Sequence, residues 1–246
     1  MNGLNRDVIK YIAMFTMLLN HIANIFLHPG TILCEALVDI GYFTAPTMCF
    51  FLVEGYQYTR SKKKYGQRLL LFALLSEVPF CLAFTRGEVI RFHGWNMLTT
   101  LFLCFLILVV KEYVLLRGLR FLAYAILIIL TLFCDWPLIA AVSTLLFSCS
   151  IGSRKKMLQS YFEIICISAW LFYTNAIWVH SGWGAVWSAL ASCLGIVLSA
   201  VVILFFYNGK RAEWGQTFSK WFFYLFYPGH LLILGCIRLY VEGVIL

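Results

Sequence analysis

The chain has 246 residues, of which 62% are hydrophobic and only 12% are charged, and its formal net charge is +8. Such a sequence lacks the polar side chains needed to cover a soluble domain of this size, which excludes a water-soluble globular protein. The nine cysteines are dispersed without a CxxC pair, which argues against a zinc site and a disulfide framework. We expect an all-α, polytopic membrane protein that forms a single domain over residues 1–246.

Apolar segments separated by charged and turn-forming stretches predict about nine transmembrane helices, with a range of eight to ten. The fifth and sixth are short and are joined by Cys134-Asp135-Trp136-Pro137, so they could instead be tilted or re-entrant. The predicted spans are residues 7–27, 34–58, 66–85, 95–116, 119–134, 137–151, 160–179, 183–206 and 219–241.

The basic residues are distributed unevenly between the two predicted sides of the membrane. With nine spans and a cytoplasmic N-terminus, all but three of the 19 Lys and Arg residues lie in or beside cytoplasmic segments. This asymmetry predicts a cytoplasmic N-terminus by the positive-inside rule. It also accounts for the net positive charge, so we expect contact with membrane lipid headgroups and no binding to nucleic acid. The three exceptions are Arg86, Arg91 and Arg238.

The first predicted span contains two ionisable residues, Lys10 and His21, within the run IKYIAMFTMLLNHIANIFL. Eleven residues advance an α-helix by three turns and about 20°, which places both side chains on one face, roughly 16 Å apart. Asp7, Met14, Met17, Asn24 and His28 lie close to the same line. Ionisable side chains at membrane depth are costly, so this face is a candidate functional site. Lys10 could instead extend its amine to the headgroups and have no other role.

The last predicted span places a second histidine, His230, near the middle of the membrane. Pro228 and Gly229 come just before it, and we expect them to interrupt the helical hydrogen bonds near the imidazole. In the third span, Glu77 lies beside a proline in the predicted outer half. Because topology places His21 at a similar depth, the three ionisable residues indicate one intramembrane polar site.

Each of these polar residues also has a structural alternative. An intramembrane histidine often makes a hydrogen bond between helices, and a glutamate beside a proline can satisfy backbone donors. Asn96 opens the fourth span, Glu54 lies near the inner end of the second, and the aromatic cluster 221–227 could serve packing alone. From spacing alone, the functional and structural interpretations stay equally open.

Five stretches of the sequence carry these polar residues in a distinctive order. In this order they resemble the TraX family of integral membrane proteins, and the match covers both ends of the chain, whereas residues 118–215 match less clearly. The stretches are Asp7-x-x-Lys10 with Ala13-Met14 and His21; Ala45-Pro46 with Leu52-Val53-Glu54-Gly55-Tyr56 and Thr59-Arg60; Tyr65-x-x-Arg68 through Ser76-Glu77-x-Pro79-Phe80; Trp95-Asn96-Met97-Leu98-x-Thr100-Leu101; and Phe223-Tyr224-x-Phe226-Tyr227-Pro228-x-His230-Leu231-Leu232.

The resemblance implies an integral membrane acyltransferase of the bacterial cytoplasmic membrane. The named member of the TraX family is associated with N-terminal acetylation of F-type conjugative pilin. The family is similar to the acyltransferase-3 type membrane enzymes that modify cell-surface glycans, in which an Arg-x10-His pattern on the first helix is tied to activity. Lys10 and His21 have the same spacing here, although lysine keeps the charge without the bidentate recognition of phosphate that arginine provides.

The resemblance also implies roles for the polar residues. Acetyl-CoA is the expected acyl donor, the acceptor is an unknown protein, peptide or glycan, and no metal is expected. His21 or His230 would act as general base on the acceptor amine or hydroxyl, and Glu77 would orient the imidazole. The expected residues are therefore His21, His230 and Glu77 for catalysis; Lys10, Asp7, Arg60 and Arg68 for acyl-CoA binding; and Asn96, Glu54 and Tyr227 for substrate binding.

Two other functions are compatible with the same residues. A small transporter or flippase would use the polar groups as a substrate or proton path, although no inverted repeat with paired broken helices is evident. A structural or assembly protein would tolerate the loss of both histidines. Consumption of acetyl-CoA distinguishes the acyltransferase from either alternative.

Overall fold

A computed structural model describes residues 3–243 of the chain. Within this range the backbone forms ten α-helices, a 3-10 turn at Thr131–Phe133 and a π-helical turn at Val202–Phe206, and it has no strand. The helices are α1 (Arg6–Phe26), α2 (Ile32–Gly41), α3 (Thr44–Tyr58), α4 (Lys62–Phe84), α5 (Met97–Tyr113), α6 (Arg117–Leu130), α7 (Ile139–Ser150), α8 (Arg154–Ala176), α9 (Trp183–Val201) and α10 (Gln216–Val241).

Five helical segments of the described range are long and apolar enough to cross a membrane. They confirm the predicted class, an all-α membrane protein. Helices α5, α6 and α7 are shorter, with 17, 14 and 12 residues, and α8 begins with three consecutive basic residues. The predicted number of nine transmembrane helices therefore stays a prediction. The five segments are Arg6–Phe26, Ile32–Tyr58, Lys62–Phe84, Trp183–Phe206 and Gln216–Val241.

The second predicted span is not one helix but two, because the chain turns between α2 and α3. The N–H groups of Tyr42 and Phe43 donate to carbonyls three residues back, over 3.2 and 3.1 Å, which tightens and ends α2. Pro46 then lies in the first turn of α3, where a missing N–H leaves no helical bond unmade. A continuous helix would have needed that N–H.

The described residues divide into two compact units. The first comprises the residues up to Met48 together with Cys149–Gln216, and the second comprises Cys49–Ser148 together with the residues from Thr217 onward. The single domain expected over residues 1–246 stays a prediction.

The first unit packs helices closely at glycines and joins them with hydroxyl groups. A Cβ atom on Gly195 would lie only 2.6 Å from the backbone nitrogen of Phe43, so α9 approaches the turn between α2 and α3 as closely as glycine permits. Nearby, the Ser199 hydroxyl lies 2.8 Å from the Thr47 hydroxyl and 3.2 Å from that of Tyr161. These hydrogen bonds give the buried hydroxyls partners within the protein.

In the second unit, a short backbone pairing holds the segment before α5. The N–H of Trp95 donates to the carbonyl of Phe133 over 2.9 Å, and the N–H of Asp135 donates to the carbonyl of Trp95 over 2.7 Å. The hydroxyl of Thr100 then donates to the carbonyl of Asp135 over 2.5 Å. The start of α5 is therefore fixed against the connection between α6 and α7.

Candidate functional site

The best-defined polar contact at a predicted site residue joins Glu77 on α4 to Asn96 at the start of α5. The amide nitrogen Nδ2 of Asn96 donates to Oε2 of Glu77 over 2.6 Å, and the backbone N–H of Asn96 donates to the same oxygen over 3.3 Å. The thiol of Cys81 lies 3.6 Å from the other carboxylate oxygen, Oε1. Three donors from two segments of the chain thus orient one carboxylate.

Asn96 is fully buried and uses its whole side-chain amide. Besides Glu77, Nδ2 donates to the carbonyl of Ala73 over 2.8 Å. Oδ1 accepts from the N–H groups of Leu98 and Thr99 over 2.9 and 3.2 Å, so Asn96 is also the N-cap of α5. Because both amide hydrogens are engaged, this side chain is better suited to hold Glu77 than to donate to a substrate.

Helix α10 contributes two further predicted residues to the same unit, Tyr227 and His230, and both are buried. The N–H of Met97, the residue after Asn96, donates to the Tyr227 hydroxyl oxygen over 3.1 Å. The imidazole of His230 meets the Tyr227 ring edge to face, with 5.7 Å between ring centroids. Contacts therefore run from Glu77 to Asn96, from the adjoining Met97 to Tyr227, and from Tyr227 to His230.

The orientation of His230 fixes which ring nitrogen can act as a base. Nδ1 lies 2.7 Å from the carbonyl oxygen of Phe226, one helical turn earlier, and the imidazole stacks on the Phe226 ring at 4.7 Å between centroids. A carbonyl oxygen only accepts, so Nδ1 carries the hydrogen of this bond. In the neutral imidazole the lone pair then lies on Nε2.

The expected interruption of the last span at Pro228 and Gly229 does not occur, because α10 runs continuously from Gln216 to Val241. Proline removes a single helical donor, and the adjoining turns keep their own hydrogen bonds. Because proline has no N–H, the carbonyl of Tyr224 lacks the helical donor that another residue at position 228 would supply.

The basic segment that begins α4 divides into engaged and exposed side chains. Lys62 binds both carboxylate oxygens of Glu112, and the Tyr56 hydroxyl donates to the same carboxylate over 2.6 Å. By contrast, Nε of Arg68 is buried and has no hydrogen-bond partner among residues 3–243. Arg60 is exposed in the preceding turn, and Glu54 is buried on α3.

In the first unit, α1 buries Asp7, Met14, Met17 and His21, whereas Asn24 and His28, which were predicted on the same face, are exposed. Lys10 on the same helix is half-buried. Oδ2 of Asp7 accepts a hydrogen bond from the N–H of Ala212 over 2.7 Å, so this carboxylate ties the first turn of α1 to the segment before α10.

The predicted residues thus belong to both units. Asp7, Lys10 and His21 lie in the first, and Glu54, Arg60, Arg68, Glu77, Asn96, Tyr227 and His230 lie in the second. The structure brings Glu77 and Asn96 into direct contact and connects them to Tyr227 and His230. The predicted meeting of His21 with Glu77 and His230 stays a prediction.

The sequence analysis missed one buried charge in the second unit, Arg238 on α10, which is only 2% exposed. A signal for it was present, because Arg238 is one of the three basic residues outside the predicted cytoplasmic segments. A charged side chain in an apolar span is expected to bind polar or charged partners inside the protein. The network of Lys62, Glu112 and Tyr56 was also missed, since no local pattern pairs residues 50 or more positions apart.

An all-α protein with five helical segments in its described range that are long and apolar enough to cross a membrane belongs to the class of polytopic membrane proteins. Comparison with known families gives a more specific assignment. The family model described as TraX protein matches residues 5–238, and the chain belongs to the TraX family.

A curated relative extends the comparison over nearly the whole chain. It is a protein of Dichelobacter nodosus named "Probable fimbrial assembly protein FimC, serogroup H1". The two are 31% identical over 244 residues, which cover 95% of this chain and 96% of the relative. No solved structure matches the chain.

Proposed function

We propose that this protein is an integral membrane acyltransferase that moves an acyl group, most simply acetyl, from acyl-CoA to an amine or hydroxyl of an exported acceptor. The observation that carries the proposal is the series of contacts that joins the half-buried Glu77 to the buried Asn96, Tyr227 and His230. Buried polar groups among membrane helices are costly and generally mark a site of chemistry or transport.

His230 is our first choice for the general base. The hydrogen bond from Nδ1 to the Phe226 carbonyl leaves the Nε2 lone pair in the neutral imidazole, which is the form that accepts a proton. Glu77, oriented by Asn96, supplies negative charge in the same series of contacts. His21 is the second candidate, because it is buried on α1 and keeps the Lys10-x10-His21 spacing of the resemblance.

The reaction follows from these groups. The acceptor amine or hydroxyl attacks the thioester carbonyl carbon while the imidazole Nε2 takes its proton. The tetrahedral intermediate then collapses, the carbon–sulfur bond breaks, and the CoA sulfur takes the proton from the imidazolium. The acyl group is now on the acceptor, CoA leaves as the thiol, and the histidine is neutral again.

Arg68 is the best-supported contact for the phosphates of CoA. Its Nε is buried and has no hydrogen-bond partner in the described part of the chain, so a bound anion would satisfy it. Arg60 in the same basic segment would add positive charge. In the predicted topology both arginines lie toward the cytoplasm, where acyl-CoA is made.

The comparisons support the kind of acceptor. The relative from Dichelobacter nodosus is named as a fimbrial assembly protein, and the resemblance to TraX links the family to acetylation of pilin. We therefore propose an exported polypeptide, such as a pilus or fimbrial subunit, as the acceptor.

The proposal is tested by comparing the masses of exported polypeptides from cells with the wild-type protein and with two variants, His230→Gln and His21→Gln. We expect one polypeptide to lose the mass of one acyl group in at least one variant. His28→Gln is the matched control, because His28 is exposed and lies after α1. Unchanged masses in both variants would overturn the histidine mechanism.

A binding measurement separates the acyltransferase from a transporter. A specific ligand raises the unfolding temperature by mass action, so acetyl-CoA and CoA should stabilise the purified protein more than ATP does. The absence of stabilisation by either CoA compound would favour the transporter or flippase.

A further inference from the structure

Arg238, in the last turn of α10, is buried although it carries a charge that cannot be removed at physiological pH. An isolated buried guanidinium is strongly unfavourable, so its partners must be ordered. Two of its four partners lie in the connection between α4 and α5, which we call the 85–95 loop.

The guanidinium binds three parts of the second unit. Nε donates to the carbonyl of Leu82 at the end of α4 over 3.1 Å. Nη2 donates to the carbonyls of Glu88 and Val89 in the 85–95 loop, each over 3.1 Å. Nη1 binds Glu242, whose carboxylate also accepts from the N–H of Gly87 over 3.3 Å.

The 85–95 loop is also closed on itself and fixed at its far end. The Thr85 hydroxyl donates to the carbonyl of Cys81 over 2.6 Å and accepts from the N–H of Arg91 over 2.8 Å. The last residue, Trp95, makes the backbone pairing with Phe133 and Asp135. Directly after it, Asn96 enters α5 and binds Glu77.

We propose that Arg238 is a positioning residue for the site at Glu77. By holding the loop directly at Glu88 and Val89, and at Gly87 through Glu242, it fixes the path along which the chain reaches Asn96 and thereby keeps the Asn96 amide on the carboxylate. Arginine suits this task because one planar group directs several donors at once, whereas lysine offers a single ammonium. Only the effect on turnover rests on the proposed acyltransferase function.

Trypsin provides a test that needs no knowledge of the substrate. Arg86 and Arg91 lie exposed in the loop, and cleavage after them requires the loop to open. In purified protein we expect cleavage at these two bonds to be at least tenfold faster in Arg238→Met than in the wild type, and intermediate in Arg238→Lys. Lys220→Gln, near the start of α10, is the control and should be cleaved like the wild type.

A double-substitution cycle asks whether Arg238 acts through Asn96. If it does, Arg238→Lys and Asn96→Ala together should lower kcat little more than Asn96→Ala alone, with the KM for acetyl-CoA unchanged. A purely structural role predicts additive losses, which would overturn the proposal.

The two readouts also separate this inference from the proposed function. Equal cleavage rates in the wild type and Arg238→Met would overturn the positioning role whatever the activity. If the wild type transfers no acyl group, the acyltransferase function fails. The rate of trypsin cleavage in Arg238→Lys, Asn96→Ala and the double variant then replaces kcat as the quantity that shows whether Arg238 acts through Asn96.

Discussion

Asn96 joins Glu77 across 19 residues of sequence through a hydrogen bond of 2.6 Å, and its second amide hydrogen binds the carbonyl of Ala73. Ala73 and Glu77 are one turn apart on α4, so a single side chain attaches the start of α5 to two successive turns of its neighbour. Since the same amide caps α5, the helix start and the carboxylate orientation depend on each other.

Exchanging the amide of residue 96 and the carboxylate of residue 77 should restore part of the attachment that Asn96→Asp alone loses. Asn96→Asp keeps the cap acceptor but loses both donors, and a buried bond to a charged group contributes about 1.5 to 3 kcal/mol. The double variant Asn96→Asp, Glu77→Gln replaces the donor on residue 96 with one on residue 77. We expect it to unfold at a higher temperature than Asn96→Asp alone, as measured by thermal unfolding in detergent; a double variant no more stable than Asn96→Asp would contradict the role of this bond.

Gly195 should accept no side chain. In Gly195→Ala the new Cβ would meet the backbone of Asp39 and Phe43, which cannot yield as a flexible side chain can. We expect a loss of about 1 to 3 kcal/mol in the free energy of unfolding, as for other overpacked sites. Gly118→Ala is the matched control, because it is helical and has open space around it, so it should be neutral or stabilising.

Lys62 and Arg68 should behave differently although both belong to the basic segment of α4. The Lys62 and Glu112 side chains are 31% and 39% exposed, so Lys62→Gln should cost less than about 1 kcal/mol of stability, and less still at high salt. Because Lys62 already holds Glu112, the Kd for CoA should not change. Arg68→Gln should raise that Kd about tenfold, the effect of losing about 1.4 kcal/mol. Titration calorimetry measures the Kd for CoA in both variants, and Arg117→Gln, at an exposed position, is the control.

Asp135 should make stability depend on pH. It lies between α6 and α7, and burial raises the pKa of this carboxyl to about 6, although a hydrogen bond from the backbone at Trp136 opposes the shift. The folded state therefore holds its proton at pH values where the unfolded chain, with a pKa near 4, has released it. Stability should fall as the pH rises from about 4 to about 6, because the folded state binds more protons over this interval.

Asp135→Asn should remove this part of the pH dependence, and unfolding temperatures measured between pH 4 and 7 test it. Glu88→Gln in the exposed 85–95 loop is the control and should keep the wild-type slope. A slope that is unchanged in Asp135→Asn would show that the carboxyl is not held protonated in the folded state.

The sequence predicted the elements that depend on local patterns. The ends of α1, α9 and α10 lie within a few residues of the ends of the predicted spans. Apolar runs bounded by charged and turn-forming residues indicate such ends in the sequence itself. The turn after Gly41 was missed, although Pro46 is a recognisable start of a helix. The long apolar run on both sides of Pro46 predicted a single span over residues 34–58.

The site was predictable in its residues but not in its contacts. Glu77 and Asn96 were both selected from the sequence, yet their hydrogen bond depends on how α4 and the start of α5 pack. Arg238 binds carbonyls about 150 positions away, so only the tertiary fold reveals its role. The cost of burying polar groups identified the residues, and packing decided which of them meet.

The turn between α2 and α3 bears on how the protein fits a bilayer. The apolar segment Ile32–Tyr58 has 27 residues, and a straight helix of that length would rise about 40 Å, well beyond a hydrocarbon core of about 30 Å. Such hydrophobic mismatch is commonly relieved by tilting the helix or by deforming the surrounding lipid. Here the excess length is divided between two helices of 10 and 15 residues, neither of which is long enough to span the core by itself. Each half is therefore shorter than the hydrocarbon core, so this apolar segment does not extend beyond the core as one straight helix would.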